Sequence, residues 1–218
     1  KHDLRSEAIY SFKNDYSEGT HSNILKAIFE SNMEQEEGYG EDYYCLEAAR
    51  VIKGKLYNPS AHIHFVSGGT QANLIVISSI LKPYESVIAA ETSHINVHET
   101  GAIEATGHKV NIARGEDGKL TPRAVKAILD MHTDEHMVKP RLVYISNSTE
   151  IGTIYKKREL EELSSFCIAN NLLLFLDGAR LGSALCSKDN DLTLKEISRL
   201  VDVFYIGGTK NGALLGEA

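Results

Sequence analysis

The chain has 218 residues, enough to bury a substantial core in one large domain or two small ones. Apolar residues make up 42% and charged residues 24%, an ordinary globular balance, and a formal net charge of −7 excludes a broad basic face for gripping nucleic acid. No apolar run reaches the ~18 residues a membrane helix needs. Cys45, Cys167 and Cys186 are far apart and form no C-x-x-C pair, which points to reduced thiols and a cytoplasmic address rather than a disulfide framework or a zinc site. The opening Lys1-His2-Asp3-Leu4-Arg5 has no apolar signal region and no initiator Met, so the numbering is not expected to begin where the gene does.

Residues 1–55 read as a mainly helical arm with a polar break over Glu36–Asp42, suited to packing on a partner or lining a site. Residues 56–218 alternate strand and helix signals. β-prone runs fall at His62–Val66, Ser86–Ala90, Lys109–Ala113, Arg141–Ser146, Leu172–Asp177 and Val201–Ile206. Leu172-Leu173-Leu174-Phe175-Leu176 is continuous rather than alternating, as a strand covered on both faces would be. Between the runs, Thr70-Gln71-Ala72-Asn73 opens a helix that ends near Pro83, and Thr121-Pro122 reads as an N-cap with proline at the first helical position. Lys156–Asn170 places Leu160, Leu163 and Cys167 on one face, and Thr193 to Glu196 matches a capping box. This alternation predicts an α/β fold with a mostly parallel central sheet and helices on both faces.

In such sheets ligands bind where loops leave the carboxyl ends of strands. Four loops qualify. Ser67-Gly68-Gly69-Thr70 joins a strand to a helix N-terminus, either as a tight turn or as a cup of free N–H groups for phosphate; no Walker sequence is present. Asp177 directly follows five apolar residues, so its carboxylate needs a cation or strong donor. Arg180 is one candidate, in a structural pair; a protonated ring nitrogen is another, which would leave Arg180 for an anionic group. Lys210 follows Gly207-Gly208-Thr209 at a strand end, where partial desolvation would lower its pKa and make it a nucleophilic amine for Schiff-base chemistry. His94 and His98 are spaced for a metal on a helix, but no third ligand is evident, and no metal is expected; a His packing on a flat ring fits better. A phosphate cup, an aspartate for a pyridinium nitrogen, a stacking histidine and a late lysine are together what pyridoxal phosphate requires.

The stretches FKNDYSEG, GYGED, SGGTQANL, HINVHETGA, LFLDGARLG and YIGGTKNGALLGE resemble the threonine aldolase and β-eliminating lyase group of fold-type I pyridoxal-phosphate enzymes. The resemblance runs from about Phe12 to the last residue and implies a fold-type I large domain over 56–218. It implies that Lys210 binds the cofactor covalently, Asp177 answers the pyridine nitrogen and His94 stacks on the ring. Gly69, Thr70 and Thr209 would hold the phosphate, and Arg180 the substrate carboxylate or the ring's phenolic oxygen. Asn14 and Tyr39 would contact substrate, with Tyr39 at the pocket mouth, from its own or a neighbouring subunit. The implied reaction is retro-aldol cleavage of a β-hydroxy-α-amino acid, threonine to glycine and acetaldehyde. A homodimer or homotetramer with the site between subunits is also implied, as is a small C-terminal domain following this chain.

Two departures bear on the reaction. Asn14 stands before Asp15 where the family usually has serine, and Thr149 stands where it commonly has a second histidine. β-Elimination and transamination on a small amino acid therefore stay open, as does a non-catalytic fragment on the same fold.

Overall fold

The computed structural model describes residues 10–218; the first nine residues of the expected arm lie outside the described residues. The arm contributes α1 (Ser22–Ser31) and α2 (Tyr43–Leu56). Asp42 starts α2 by accepting the Cys45 N–H at 2.8 Å, and Tyr57 ends it in the left-handed region at φ 53°. Phe12, Phe29 and Met33 of the arm are left exposed.

There follow α3 (Gly69–Ile80), β1 (Glu85–Ala90), α4 (His94–Val97), α5 (Ala102–Ala105) and β2 (Lys109–Ala113). Then come α6 (Pro122–Met131), β3 (Lys139–Ser146), α7 (Lys157–Ala169), β4 (Leu173–Asp177), α8 (Leu181–Leu185), α9 (Leu194–Leu200) and β5 (Val203–Phe204). Thr121 caps α6 by accepting from Ala124 N, and Thr193 and Glu196 close a reciprocal capping box on α9.

The five strands form one all-parallel sheet in the order β2-β1-β3-β4-β5. Both faces are covered, which explains the continuous apolar runs. Leu142, Tyr144 and Phe175 face Ala72 and Ile77 of α3 and Ile103 of α5. Val143, Ile145, Leu174 and Leu176 face Val125 of α6, Leu160 and Leu163 of α7, and Ile197 of α9. Each fully buried side chain of this kind stabilises the fold by about 1.5–3 kcal/mol relative to exposure.

Two predicted strands are shorter than the sequence suggested. Of His62–Val66 only Val66 pairs, in an antiparallel bridge to Glu217, because no other backbone reaches the segment among the described residues. Of Val201–Ile206 only Val203 and Phe204 are in register with β4, opposite Phe175 and Leu176; Asp202 N and Tyr205 N donate to the Leu174 and Leu176 carbonyls at either end, and Val201 caps α9. Ile206 and Gly207 pair instead with Ala218 and Glu217, which lie between β5 and Val66.

Candidate active site

All five strands point the same way, so their exits share one edge. The order β2-β1-β3 reverses direction between β1 and β3, and a crevice opens there. β1 leads to His94, the first residue of α4; β4 ends at Asp177 and continues to Arg180; β5 leads to Lys210 in a 3-10 turn, Thr209–Asn211. The N-terminus of α3 adds Gly69 and Thr70 to the same edge. The result is a cavity of about 210 Å³ whose lining includes Gly69, Thr70, His94, Asp177, Arg180, Thr209 and Lys210. Residues spread across 142 positions of sequence are thereby collected by strand exits alone.

Asn14 and Tyr39 are not in that lining. Asn14 is used in its own turn, accepting from Tyr16 N and Ser17 Oγ, and Tyr39 is fully exposed at φ 64°. Their neighbourhood does reach the site through residues the sequence did not single out. Asp15 pairs with Arg180, and Lys210 Nζ lies 5.6 Å from the centroid of the Tyr16 ring.

Gly68 precedes α3 in extended backbone, and no side chain among the described residues caps the helix. Gln71, the natural candidate, turns back to accept from Ser67 N and Oγ at 2.8 and 2.9 Å. The first N–H groups of α3 therefore face the cavity with the positive end of the helix dipole.

Asp177 is 5% exposed. Its Oδ1 accepts from Ala179 N at 2.9 Å and its Oδ2 from the Tyr144 hydroxyl. Burial and the adjacent carboxylate push the Tyr144 hydroxyl pKa well up, so it serves as a donor. Lys210 is half-buried, and burial, together with the Arg180 charge, holds its ammonium below the usual lysine range despite Asp15 and Asp177. Burial raises Asp15, but the Arg180 hydrogen bond and charge outweigh it and leave its carboxyl below the usual range. Glu217 accepts from Gly208 N at 2.8 Å, and burial raises its carboxyl pKa.

Sequence reasoning also missed a buried layer behind His94. Glu99 Oε1 meets His94 Nδ1 at 2.8 Å and accepts from Asn73 Nδ2 at 2.7 Å. Glu150 Oε1 accepts from the His94 backbone N–H at 2.9 Å and from Ser146 Oγ at 2.7 Å. The available signal was the carboxylate in His-Glu-Thr-Gly, which follows directly when α4 ends at Val97 and the chain folds back. Thr149 is buried, shares a hydrogen bond with Thr153 Oγ1 at 2.7 Å and stays out of the lining.

Residues 13–215 match the profile of the Beta-eliminating lyase family. The chain belongs to that family. Among this family member's curated relatives is the low specificity L-threonine aldolase of Pseudomonas sp. (strain NCIMB 10558), 37% identical over 212 residues, covering 95% of this chain and 60% of the relative. The Pseudomonas aeruginosa enzyme of the same description is 34% identical over 209 residues, with 95% and 60% covered. A solved structure of Leishmania major threonine aldolase superposes with a TM-score of 0.95 at 56% identity, covering 96% of this chain and 61% of that one. This beta-eliminating lyase family chain thus spans about 60% of the length of the relatives it matches, and its architecture is fold-type I.

Proposed function

We propose that this family member is a pyridoxal-phosphate-dependent lyase that cleaves a β-hydroxy-α-amino acid by retro-aldol reaction, threonine to glycine and acetaldehyde. The observation that carries the reading is one cavity lined by Lys210, Asp177, His94 and the uncapped start of α3. Two low specificity L-threonine aldolases and a threonine aldolase among its relatives support the substrate class.

The cavity fits the cofactor. A Cβ on Gly69 would lie 2.8 Å from the Tyr205 hydroxyl, so glycine lets the two sit this close at the start of α3, where uncapped backbone N–H groups suit a phosphate. Gly69, Thr70 and Thr209 would hold that phosphate, Asp177 the pyridine nitrogen, His94 the ring face and Lys210 the aldehyde carbon. When bound, pyridoxal phosphate supplies an electron-withdrawing ring conjugated to the substrate's α-carbon.

The chain's own residues do the rest. Burial and the Arg180 charge lower the Lys210 pKa, which favours the neutral, nucleophilic amine. Asp177, fixed by Tyr144 and Ala179 N–H, would keep a proton on the ring nitrogen. Arg180 exchanges Asp15 for the substrate carboxylate and orients the bond to be broken. His94 takes the β-hydroxyl proton through water.

We read residues 56–218 as the cofactor-binding domain and 1–55 as an arm that packs on a second copy in a homodimer or homotetramer. Phe12, Phe29 and Met33, each more than four-fifths exposed, support a partner of that kind. A cytoplasmic location fits the three free cysteines, and no helix of the described residues is long and apolar enough to cross a membrane.

The test is to supply pyridoxal phosphate and threonine to the full-length protein and identify products, with Lys210→Ala as control. Glycine and acetaldehyde, lost in the variant, are expected. Pyruvate and ammonia would assign β-elimination instead, and a visible cofactor absorbance unchanged by Lys210→Ala would overturn the cofactor assignment.

A further inference from the structure

Behind the cavity a chain of side chains connects the two groups that would contact the cofactor ring from different sides. Glu99 has a side chain with no exposed surface, an unusual cost for a carboxylate. Its Oε1 already accepts the Asn73 Nδ2 hydrogen at 2.7 Å. His94 Nδ1, 2.8 Å from the same oxygen, therefore meets an acceptor and must bring a hydrogen. The other Asn73 amide hydrogen reaches towards the Tyr144 hydroxyl at 3.4 Å, and that hydroxyl donates to Asp177 Oδ2. Every hydrogen in the set is thus assigned: two meet Glu99 Oε1, one the Tyr144 hydroxyl and one Asp177 Oδ2. Among the described residues nothing partners Glu99 Oε2 or Asn73 Oδ1, so a buried polar layer is retained here although it is incompletely satisfied.

We propose that Glu99 is a positioning residue that fixes His94 as the Nδ1–H tautomer and, through Asn73 and Tyr144, ties it mechanically to Asp177. The consequence is chemical. With Nδ1 carrying the hydrogen, His94 Nε2 keeps its lone pair and can only accept, which is the state a base for the substrate hydroxyl requires. An Nε2–H tautomer would offer a donor and no base. The inference rests on the proposed role of His94 in the lyase reaction, but the tautomer itself does not depend on that reaction.

The experiment is nitrogen NMR of the full-length protein labelled with ¹⁵N-histidine, in wild type, Glu99→Gln and Glu99→Met. Wild-type His94 is expected as the Nδ1–H tautomer. Glu99→Gln retains an acceptor oxygen and should keep that tautomer. Glu99→Met removes the acceptor and should shift the population towards Nε2–H. In the turnover assay Glu99→Met should lose on the order of 100-fold in kcat with little change in KM, and Glu99→Gln should recover most of it. A wild-type Nε2–H tautomer, or a Glu99→Gln variant whose His94 is Nε2–H, would overturn the proposal even if Glu99→Met fails to fold. If no glycine forms but the tautomer follows Glu99, the lyase reading falls and the positioning role stands.

Discussion

Arg180 donates from both Nε and Nη2 to the two carboxylate oxygens of Asp15, 165 residues earlier in the chain, with Nη2 to Oδ1 at 3.1 Å. A fork of two parallel donors is the geometry with which arginine grips a free carboxylate. On the role proposed for Arg180, Asp15 holds the place a substrate carboxylate would take. Because both side chains are partly exposed, the pair contributes about 1 kcal/mol at most. Asp15→Asn is expected to lower KM for threonine by two- to fivefold at constant kcat, read from initial rates. A raised KM would mean that Asp15 orients Arg180 for substrate rather than competing with it.

Lys210 gives a pH dependence of stability with a definite sign. Its folded-state pKa is below the ordinary lysine value because burial and Arg180 disfavour the ammonium. The unfolded chain binds that proton more tightly, so stability rises with pH from the lowered value to the ordinary lysine range, near pH 10.4. Below that window the folded state carries the full penalty. Lys210→Met removes it, and its thermal midpoint in the cofactor-free protein should exceed that of wild type at pH 7. The gap should close by about pH 11. A variant less stable than wild type at pH 7 would show that Lys210 contributes packing rather than strain.

The sequence made the sheet legible because its strands are buried on both faces and are therefore continuous in apolar residues, as at Leu172–Leu176. It also singled out Asp177 and Lys210, both in the cavity lining, since each sits where an apolar run stops and a charged side chain has no bland place to go. His62–Val66 was misread for a related reason: strand propensity is local, but a ladder needs a neighbour, and Glu217 supplies pairing only at Val66. Asp15, Asn73, Glu99 and Tyr144 escaped because each is an ordinary letter in its own segment. Apart from the five-residue step between His94 and Glu99, their meaning is set by contacts over 26 to 165 residues, which no local pattern encodes.

The α9 capping box offers a test of a local reading. Thr193 Oγ1 accepts from Glu196 N, while Glu196 Oε2 accepts from Thr193 N at 2.9 Å. Glu196 also pairs with Lys157 at 2.7 Å, and that bond, with those from Thr193, holds its carboxyl down at about 2. Thr193→Ala is expected to cost about 1 kcal/mol in urea unfolding. Glu196→Gln should destabilise at neutral pH, with the difference from wild type shrinking as pH falls from the unfolded glutamate range towards 2. A pH-independent difference would mean that packing of the side chain, not its charge, is what α9 uses.

Gly178 fixes how closely the Asp177 and Lys210 loops approach. A Cβ there would overlap the Tyr205 carbonyl oxygen, and the Gly178 carbonyl itself accepts from Gly207 N at 2.9 Å. The exits of β4 and β5 are thus packed backbone against backbone, and alanine must push one away from the other. Gly178→Ala should cost about 2–3 kcal/mol of stability. In protein that still folds it should weaken pyridoxal-phosphate binding, because Asp177 and Lys210 would separate. Gly54→Ala is the control: it lies inside α2, where an added Cβ meets nothing within 4 Å. That change should stabilise by about 0.5–1 kcal/mol through helix propensity. Urea midpoints for the two variants should therefore move in opposite directions, and a Gly178→Ala midpoint equal to wild type would show that the loops can part without loss.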